Sequence, residues 1–488
     1  MTPSHCRKVI GVASLCSAAL SLVWYRSVFV SSYGVLDDYR LVEQARSGIG
    51  AFRINEGHAS TELATGRFIP SLLFTTVWRF VGDVSDLRYI RLLGFVVVVS
   101  ALAMLAYFAA QEFDLGAVAT ASTTFAIVLL GVLLPGSIAT VTWAQKATQL
   151  LALPAAIGAG VLASRLCVMS IRNWLLVCSL LVLSVFTYQQ FVMMSTLPLA
   201  VAGVNRFLHN GDKVILKRTA VVTAACFLTL LTNYIFVYVF DSTVIGESSV
   251  AFPKRVMLLF TQTLPFAIHL RIAKEPLLVT ITAAMGIAAL SLLARVGRAQ
   301  LLLVVAVMYS TGLSALIGLG SNREINYRMA MPIQLTAWLG LLLLMCVGVQ
   351  NCRGQRAKLG AALTLVISLI ITFVGLEAMT SVNGRIVRAN TSEWLEVLDN
   401  VQIAKESNSE GIVLRMEDTP LTGRCAVYSE IGLLGRHVRW VLEDQYRLAI
   451  RMAASERSDW SPKVTVMDEL PKPARGVFQA DLAAARNC

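Results

Sequence analysis

Two adjacent carboxylates, Asp37 and Asp38, stand just after the first apolar stretch of the chain, in the segment VLDDYR (35–40). Such a pair at a membrane boundary has a chemical use. One acid can take a proton from an acceptor hydroxyl while cationic groups neutralise a leaving anion. Tyr39 and Arg40 follow the pair directly, Arg67 closes the long polar loop, and Lys146 sits in TWAQK. Tyr188, Gln189 and Gln190 interrupt an apolar run, where three polar groups are costly without partners. Arg323, Glu324 and Arg328 fall together in GSNREINYRM. The expected site therefore has Asp37 and Asp38 as catalytic acids. Tyr39, Arg40, Arg67, Lys146, Tyr188, Gln189, Arg323 and Arg328 are the expected substrate-binding residues. Plainer readings stand beside these: a solvated loop acid, interface anchors for the two late arginines, and a hairpin cap at 188–190.

The elements that must position these residues are membrane helices. At 488 residues, 56% hydrophobic and 15% charged, the composition excludes an ordinary soluble chain. Several apolar runs reach the ~20 residues needed to cross a hydrocarbon core. The expected fold is all-α and polytopic, with spans at 9–30, 91–111, 116–135, 145–164, 174–190, 191–204, 219–240, 276–295, 299–319, 329–349 and 359–378. These eleven crossings start in the cytoplasm and end outside, because the basic loops 164–173, 205–218, 295–300 and 351–358 then all face inward. The first span reads as an uncleaved anchor. The short spans 174–190 and 191–204 meet at TYQQF and predict a helical hairpin. Residues 68–82, with Pro70 and Arg79, and 255–271, with Pro265, His269 and Arg271, predict interfacial or re-entrant helices.

The formal charge of +12 belongs to the inward loops and the anionic leaflet, which argues against nucleic acid as a partner. The nine cysteines show no metal-ligand spacing. Cys16, Cys178, Cys226 and Cys346 read as small packing residues, while Cys425 and Cys488 share the C-terminal region and could pair outside the cell. Composition changes near residue 379. Residues 1–378 form the membrane domain, with a catalytic first outer loop at 31–90. Residues 379–488 form a small mixed α/β extracytoplasmic domain, with helices at 391–406 and 439–455 and strands at 412–416, 425–429 and 464–468.

A short basic N-terminus, one span and then an acidic pair in a long first outer loop resembles membrane glycosyltransferases of the GT-C fold. VLDDYR (35–40), TGRFIPSLLF (65–74), TYQQ (187–190), Arg323 and Arg328 make residues 1–378 similar to the bacterial O-antigen glucosyltransferases of the serotype-conversion (glucosyl transferase II) type. The resemblance implies a hexosyltransferase of the bacterial inner membrane with its active site on the periplasmic face. It implies inverting transfer of a sugar, glucose in the first instance, from a polyprenyl-phosphate donor to a glycan such as O-antigen on lipopolysaccharide. Asp37 or Asp38 would then be the general base, and Arg67, Lys146, Arg323 and Arg328 would hold the donor phosphate. No glycine-rich nucleotide motif occurs, in keeping with a lipid-carried donor. No cofactor is required; the acids admit a divalent cation, although one Asp pair alone is a poor cage. Besides a non-catalytic structural protein, which replaceable Asp37 and Asp38 would indicate, two rivals remain. A lipid-linked-sugar flippase or transporter would place its ionisable groups near the bilayer midplane. An O-antigen polymerase or ligase would lean on arginines in a large central outer loop.

The charge pattern makes a topological prediction. A reporter active only in the cytoplasm should be silent when fused at residues 50 and 430 and active at 212. Activity at 50 would put the acids in the wrong compartment.

Overall fold

A backbone in lipid has no water to bond, so long apolar runs must satisfy their own N–H and C=O groups as helices. The computed structural model describes residues 3–35, 37–46, 62–165, 170–211, 213–240, 252–258, 298–318, 327–350, 373, 375–377, 379–380, 382–415, 439–454, 460–467 and 477–481. It is mostly helical. Among the described residues, five helices are long and apolar enough to cross a bilayer: Ser4–Trp24, Val84–Glu112, Ala144–Arg165, Ile171–Leu208 and Val214–Val239. A sixth is formed if one bent pair is a single span. Such helices are compatible with a multi-pass membrane protein.

We label the helices that carry the argument in chain order. They are α1 (Pro3–Trp24), α2 (Asp37–Arg46), α3 (Phe68–Thr76), α4 (Leu87–Glu112), α5 (Ala117–Leu133), α6 (Pro135–Thr142) and α7 (Ala152–Arg165). There follow α8 (Ile171–Tyr188), α9 (Thr196–Asn210), α10 (Val214–Phe240), α11 (Arg298–Gly318), α12 (Tyr327–Gln350), α13 (Arg388–Glu406) and α14 (Arg439–Ala454). Expected spans at 299–319 and 329–349 fall on α11 and α12, whose described apolar stretches, Leu302–Leu316 and Ala330–Leu344, are shorter than the five helices above. The span at 276–295, most of 359–378 and most of the segment 255–271 lie outside the described residues. Residues 68–82 form the nine-residue α3 and a short 3-10 turn, too short to cross a bilayer.

The stretch Ile171–Leu208 is continuously helical over 38 residues, which would measure about 57 Å if straight. It is not straight. Arg165 stacks over Tyr107 of α4 at 4.3 Å, and Arg206 pairs with Glu112 of the same helix at 2.6 Å. Arg165, the last residue of α7 and six positions before the run, and Arg206 near the run's end therefore lie at one end of the bundle, where Arg7 is also 6.0 Å from the Tyr107 ring. The reversal falls at Tyr188, whose backbone is extended at φ −160°, ψ 106°, before the 3-10 stretch Gln189–Ser195. The hairpin expected at TYQQF is present, with arms that pack on α7 rather than on each other.

The expected single span 116–135 is instead a helix that bends by 60° between α5 and α6. Pro135 explains the break, since its ring lacks an N–H and clashes with the preceding turn. Gln334 of α12 accepts from the Gly136 N–H at 2.9 Å, so this buried end keeps a partner.

The C-terminal unit has a three-stranded parallel sheet of β1 (Gly411–Arg415), β2 (Lys463–Met467) and β3 (Val477–Asp481), in the order β2-β1-β3. Parallel neighbours need a crossover, and α14 lies between β1 and β2 in the chain. This bears out the mixed α/β character of the tail. The expected strand at 425–429 and the cysteines Cys425 and Cys488 lie outside the described residues. Of the cysteines expected to pack, Cys226 is buried against Ser195, Cys178 is half-buried and Cys16 is exposed, so among these three described side chains Cys226 alone fits a packing role fully.

Close approach of α7 to the turning segment depends on Gly160, where an added Cβ would collide with the Ser195 carbonyl and the Pro198 ring. Gly160→Val should destabilise the protein by about 2 kcal/mol or more through overpacking. A lower melting temperature of the detergent-solubilised protein would register it, whereas Gly116→Ala, with open space around it, should leave melting nearly unchanged.

Candidate active site

Helix α2 begins at the acid pair, where negative charge complements the positive end of the helix dipole. The two acids have different surroundings. Asp38 is fully buried. Its Oδ2 accepts from the Val35 N–H at 3.0 Å, and its Oδ1 accepts from the Gln145 N–H at 2.9 Å. The buried Arg91 guanidinium lies 3.8 Å from Oδ2, donates to the Tyr33 carbonyl, and sits 3.7 Å over the Tyr33 ring. Burial pushes the Asp38 carboxyl up to about 6, with Arg91 and the two backbone N–H groups pulling against it. Asp37, by contrast, is partly exposed, and among the described residues its side chain has no hydrogen bond or ion pair. Asp38 is anchored on both oxygens, while among the described residues Asp37 is not.

Next to this pair lies a second buried carboxylate, Glu62, which gathers the expected cations. Its Oε2 is 3.1 Å from Arg67 Nη1 and its Oε1 is 3.9 Å from Lys146 Nζ. Gln145 and Gln149 donate their amide N–H groups to the same Oε1 at 3.3 and 3.4 Å. Gln145 thus joins the two acids, meeting Asp38 with its backbone and Glu62 with its side chain. Arg67 lies 5.3 Å over the Tyr188 ring, and Lys146 lies 5.2 Å over Trp143. Cations held over aromatic faces in a dry setting keep their direction without extra carboxylates.

The loop that presents Glu62 and Arg67 is itself fixed. Gly66 has φ +75°, a backbone shape that side chains resist, and its carbonyl accepts from Asn233 Nδ2 of α10 at 2.7 Å. Gln189 donates to the Thr65 carbonyl at 2.9 Å and to Asn233 Oδ1 at 3.0 Å. The hairpin turn at Tyr188–Gln189 therefore holds the loop in place. These groups sit where α4, α7 and α8 begin or end, at the end of the bundle opposite to the Arg206–Glu112 pair.

Of the expected residues, Asp38, Arg67, Lys146, Tyr188 and Gln189 are brought together, with Asp37 beside Asp38 at the start of α2. Tyr39 and Arg40 are not turned towards this group. Tyr39 is fully buried, packs against Trp394 at 5.4 Å, and accepts from the Gly34 N–H at 3.2 Å. Burial raises its phenol pKa, so it stays protonated. Arg40 pairs with Asp444 at 2.9 Å. Both residues, expected to bind substrate, are committed to the C-terminal unit. Arg323 lies outside the described residues, and Arg328 is placed on the first turn of α12 by its backbone. Glu62 and Arg91 were not anticipated. Glu62 stands five residues before Arg67 in one loop and Arg91 sits at the start of an apolar run, but neither position alone reveals burial. Among the described residues, no three His, Cys, Asp or Glu side chains gather as a metal cage.

No protein-family model matches this chain, and no curated protein matches it.

The split between the acids can be measured. Asp38→Ala strips the acceptor from two buried N–H groups and should cost about 2–5 kcal/mol. Asp37→Ala should stay within about 0.5 kcal/mol of wild type. Thermal unfolding of the two purified variants would separate them, and equal loss in both would refute the division of roles.

Proposed function

We propose that this chain is an integral-membrane glycosyltransferase of GT-C-like architecture, crossing the membrane about eleven times with its site on the periplasmic face. It moves a hexose, glucose in the first instance, from a polyprenyl-phosphate donor to a periplasmic glycan such as O-antigen. The observation that carries this reading is Asp37, a partly exposed carboxylate with no hydrogen bond or ion pair among the described residues, one residue from the buried Asp38, which Gln145 and Glu62 link to Arg67 and Lys146. Base and anion-binding cations are the two parts that glycosyl transfer from a phosphate requires.

In this mechanism Asp37 accepts the proton of the acceptor hydroxyl, whose oxygen attacks the anomeric carbon on the face opposite the phosphate. The bond from that carbon to the phosphate oxygen breaks with inversion. Charge developing on the leaving phosphate is met by Arg67 and Lys146, with Arg323 and Arg328 as further candidates. Glu62 keeps the cations aimed rather than reacting itself. Trp143 and Tyr188 wall the same region and suit a sugar or an isoprenoid. The placement of these groups at one end of the helices, rather than halfway along them, favours surface transfer over the transporter reading.

Asp37→Asn should lower sugar transfer by about 10²–10⁴-fold, the usual contribution of a general base, with the protein still accumulating in the membrane. Mass spectrometry of envelope glycans from cells making each form would read it. Full transfer by Asp37→Asn would refute the catalytic role.

A further inference from the structure

Among the described residues Asp37 has no hydrogen bond or ion pair to aim it, so its direction follows from the roll of α2. Successive helix residues turn about 100°. Asp38 and Val42, both fully buried, therefore share one face, and the Asp38 face is tied to the bundle through Gln145 and Arg91. Tyr39, Arg40 and Glu43 share the next face, and every one of them meets the C-terminal unit. Tyr39 packs on Trp394 of α13 at 5.4 Å. Arg40 Nε is 2.9 Å from Asp444 Oδ2, and Glu43 Oε1 is 3.0 Å from Arg451 Nη2, both on α14. Asp444 and Arg451 stand about two turns apart, which places them on one side of α14.

Helix α14 is in turn firmly mounted. Gln445 donates to Glu393 of α13 at 2.9 Å, and Asn400 donates to the Tyr446 hydroxyl at 3.1 Å. Behind the ion pairs, the Tyr39–Trp394 contact is dry on both sides. That buried contact holds the faces together, while the two half-exposed pairs, one turn apart along α2, oppose its rotation. Asp38 holds the first turn of α2 and Arg46 donates to the Gly82 carbonyl at 2.6 Å from its last turn, so the contacts with the C-terminal unit restrain the middle of the helix on its remaining face.

We propose that the C-terminal unit is a clamp on the acid-bearing helix. Asp444 and Arg451 are positioning residues that act through Arg40 and Glu43 to fix the direction of Asp37. The proposal rests on the reading of Asp37 as the base, and it gives the tail a part in the reaction without contact with substrate.

The test uses the full chain in membranes, with glucosyl polyprenyl phosphate as donor and lipopolysaccharide from the producing cells as acceptor. Arg40→Asp and Asp444→Arg each set like charges against one another, and the double exchange restores the pair. Each single variant should lose kcat by up to about 10²-fold per molecule of protein, as expected for a misplaced catalytic group, with donor KM unchanged. The double variant should recover most of it. A merely structural role would lower the amount of protein while leaving kcat per molecule intact. If the reversals reduce accumulation, Arg40→Gln and Asp444→Asn are read on the same per-molecule scale. Wild-type kcat in both single variants, or no recovery in the double, would overturn the clamp while an inactive Asp37→Asn left the base standing. An active Asp37→Asn would remove the base and the clamp together.

Discussion

A carboxylate cannot be taken out of water among packed helices unless donors and a counter-charge meet it, and Asp38 shows how much structure one such group commands. Its two oxygens bind the backbone of Val35 on its own loop and of Gln145 across the bundle, and Arg91 stands behind them. Those three partners come from separate parts of the chain. Satisfying them joins the start of the first loop, the start of α4 and the turn before α7 at one point. The helix that begins there is pinned at its first turn, and among the described residues Asp37 makes no bond in that network.

Glu62 repeats the arrangement a few ångströms on. Arg67 and Lys146 would repel each other if brought together alone, and the shared carboxylate makes their proximity tolerable. Two backbone distortions serve this centre. The left-handed Gly66 turns the loop so that Glu62 and Arg67 face one another, and the extended Tyr188 reverses the hairpin so that its ring lies beneath Arg67. Strain of this kind persists where surrounding bonds over-determine it, and here Asn233 and Gln189 supply them. The C-terminal unit adds a second wall to α2, so the helix that carries Asp37 stands between the helical bundle and a small α/β tail.

Local pattern was enough to find much of this protein. Long apolar runs announce helices because lipid leaves the backbone no other choice, and α1, α4, α7, α10, α11 and α12 lie where those runs lie. Three consecutive polar residues in an apolar stretch marked the turn at Tyr188. Period-3.6 and period-2 patterns placed helices near 391–406 and 439–455 and strands near 412–416 and 464–468, within a few residues of α13, α14, β1 and β2. The acid pair, Arg67, Lys146, Tyr188 and Gln189 were legible as polar groups too costly to lack a purpose. The tertiary structure alone decided what each does. Asp37 and Asp38 are indistinguishable as neighbours in sequence, yet one helix face lies against Gln145 and the other does not. Tyr39 and Arg40 looked like site residues until Trp394 and Asp444, hundreds of positions away, claimed them. Glu62 and Arg91 gave no signal because burial is a property of what packs around a residue. The strand Val477–Asp481 and the parallel order with β1 in the centre were equally hidden, since pairing partners are chosen across the sheet and not along the chain.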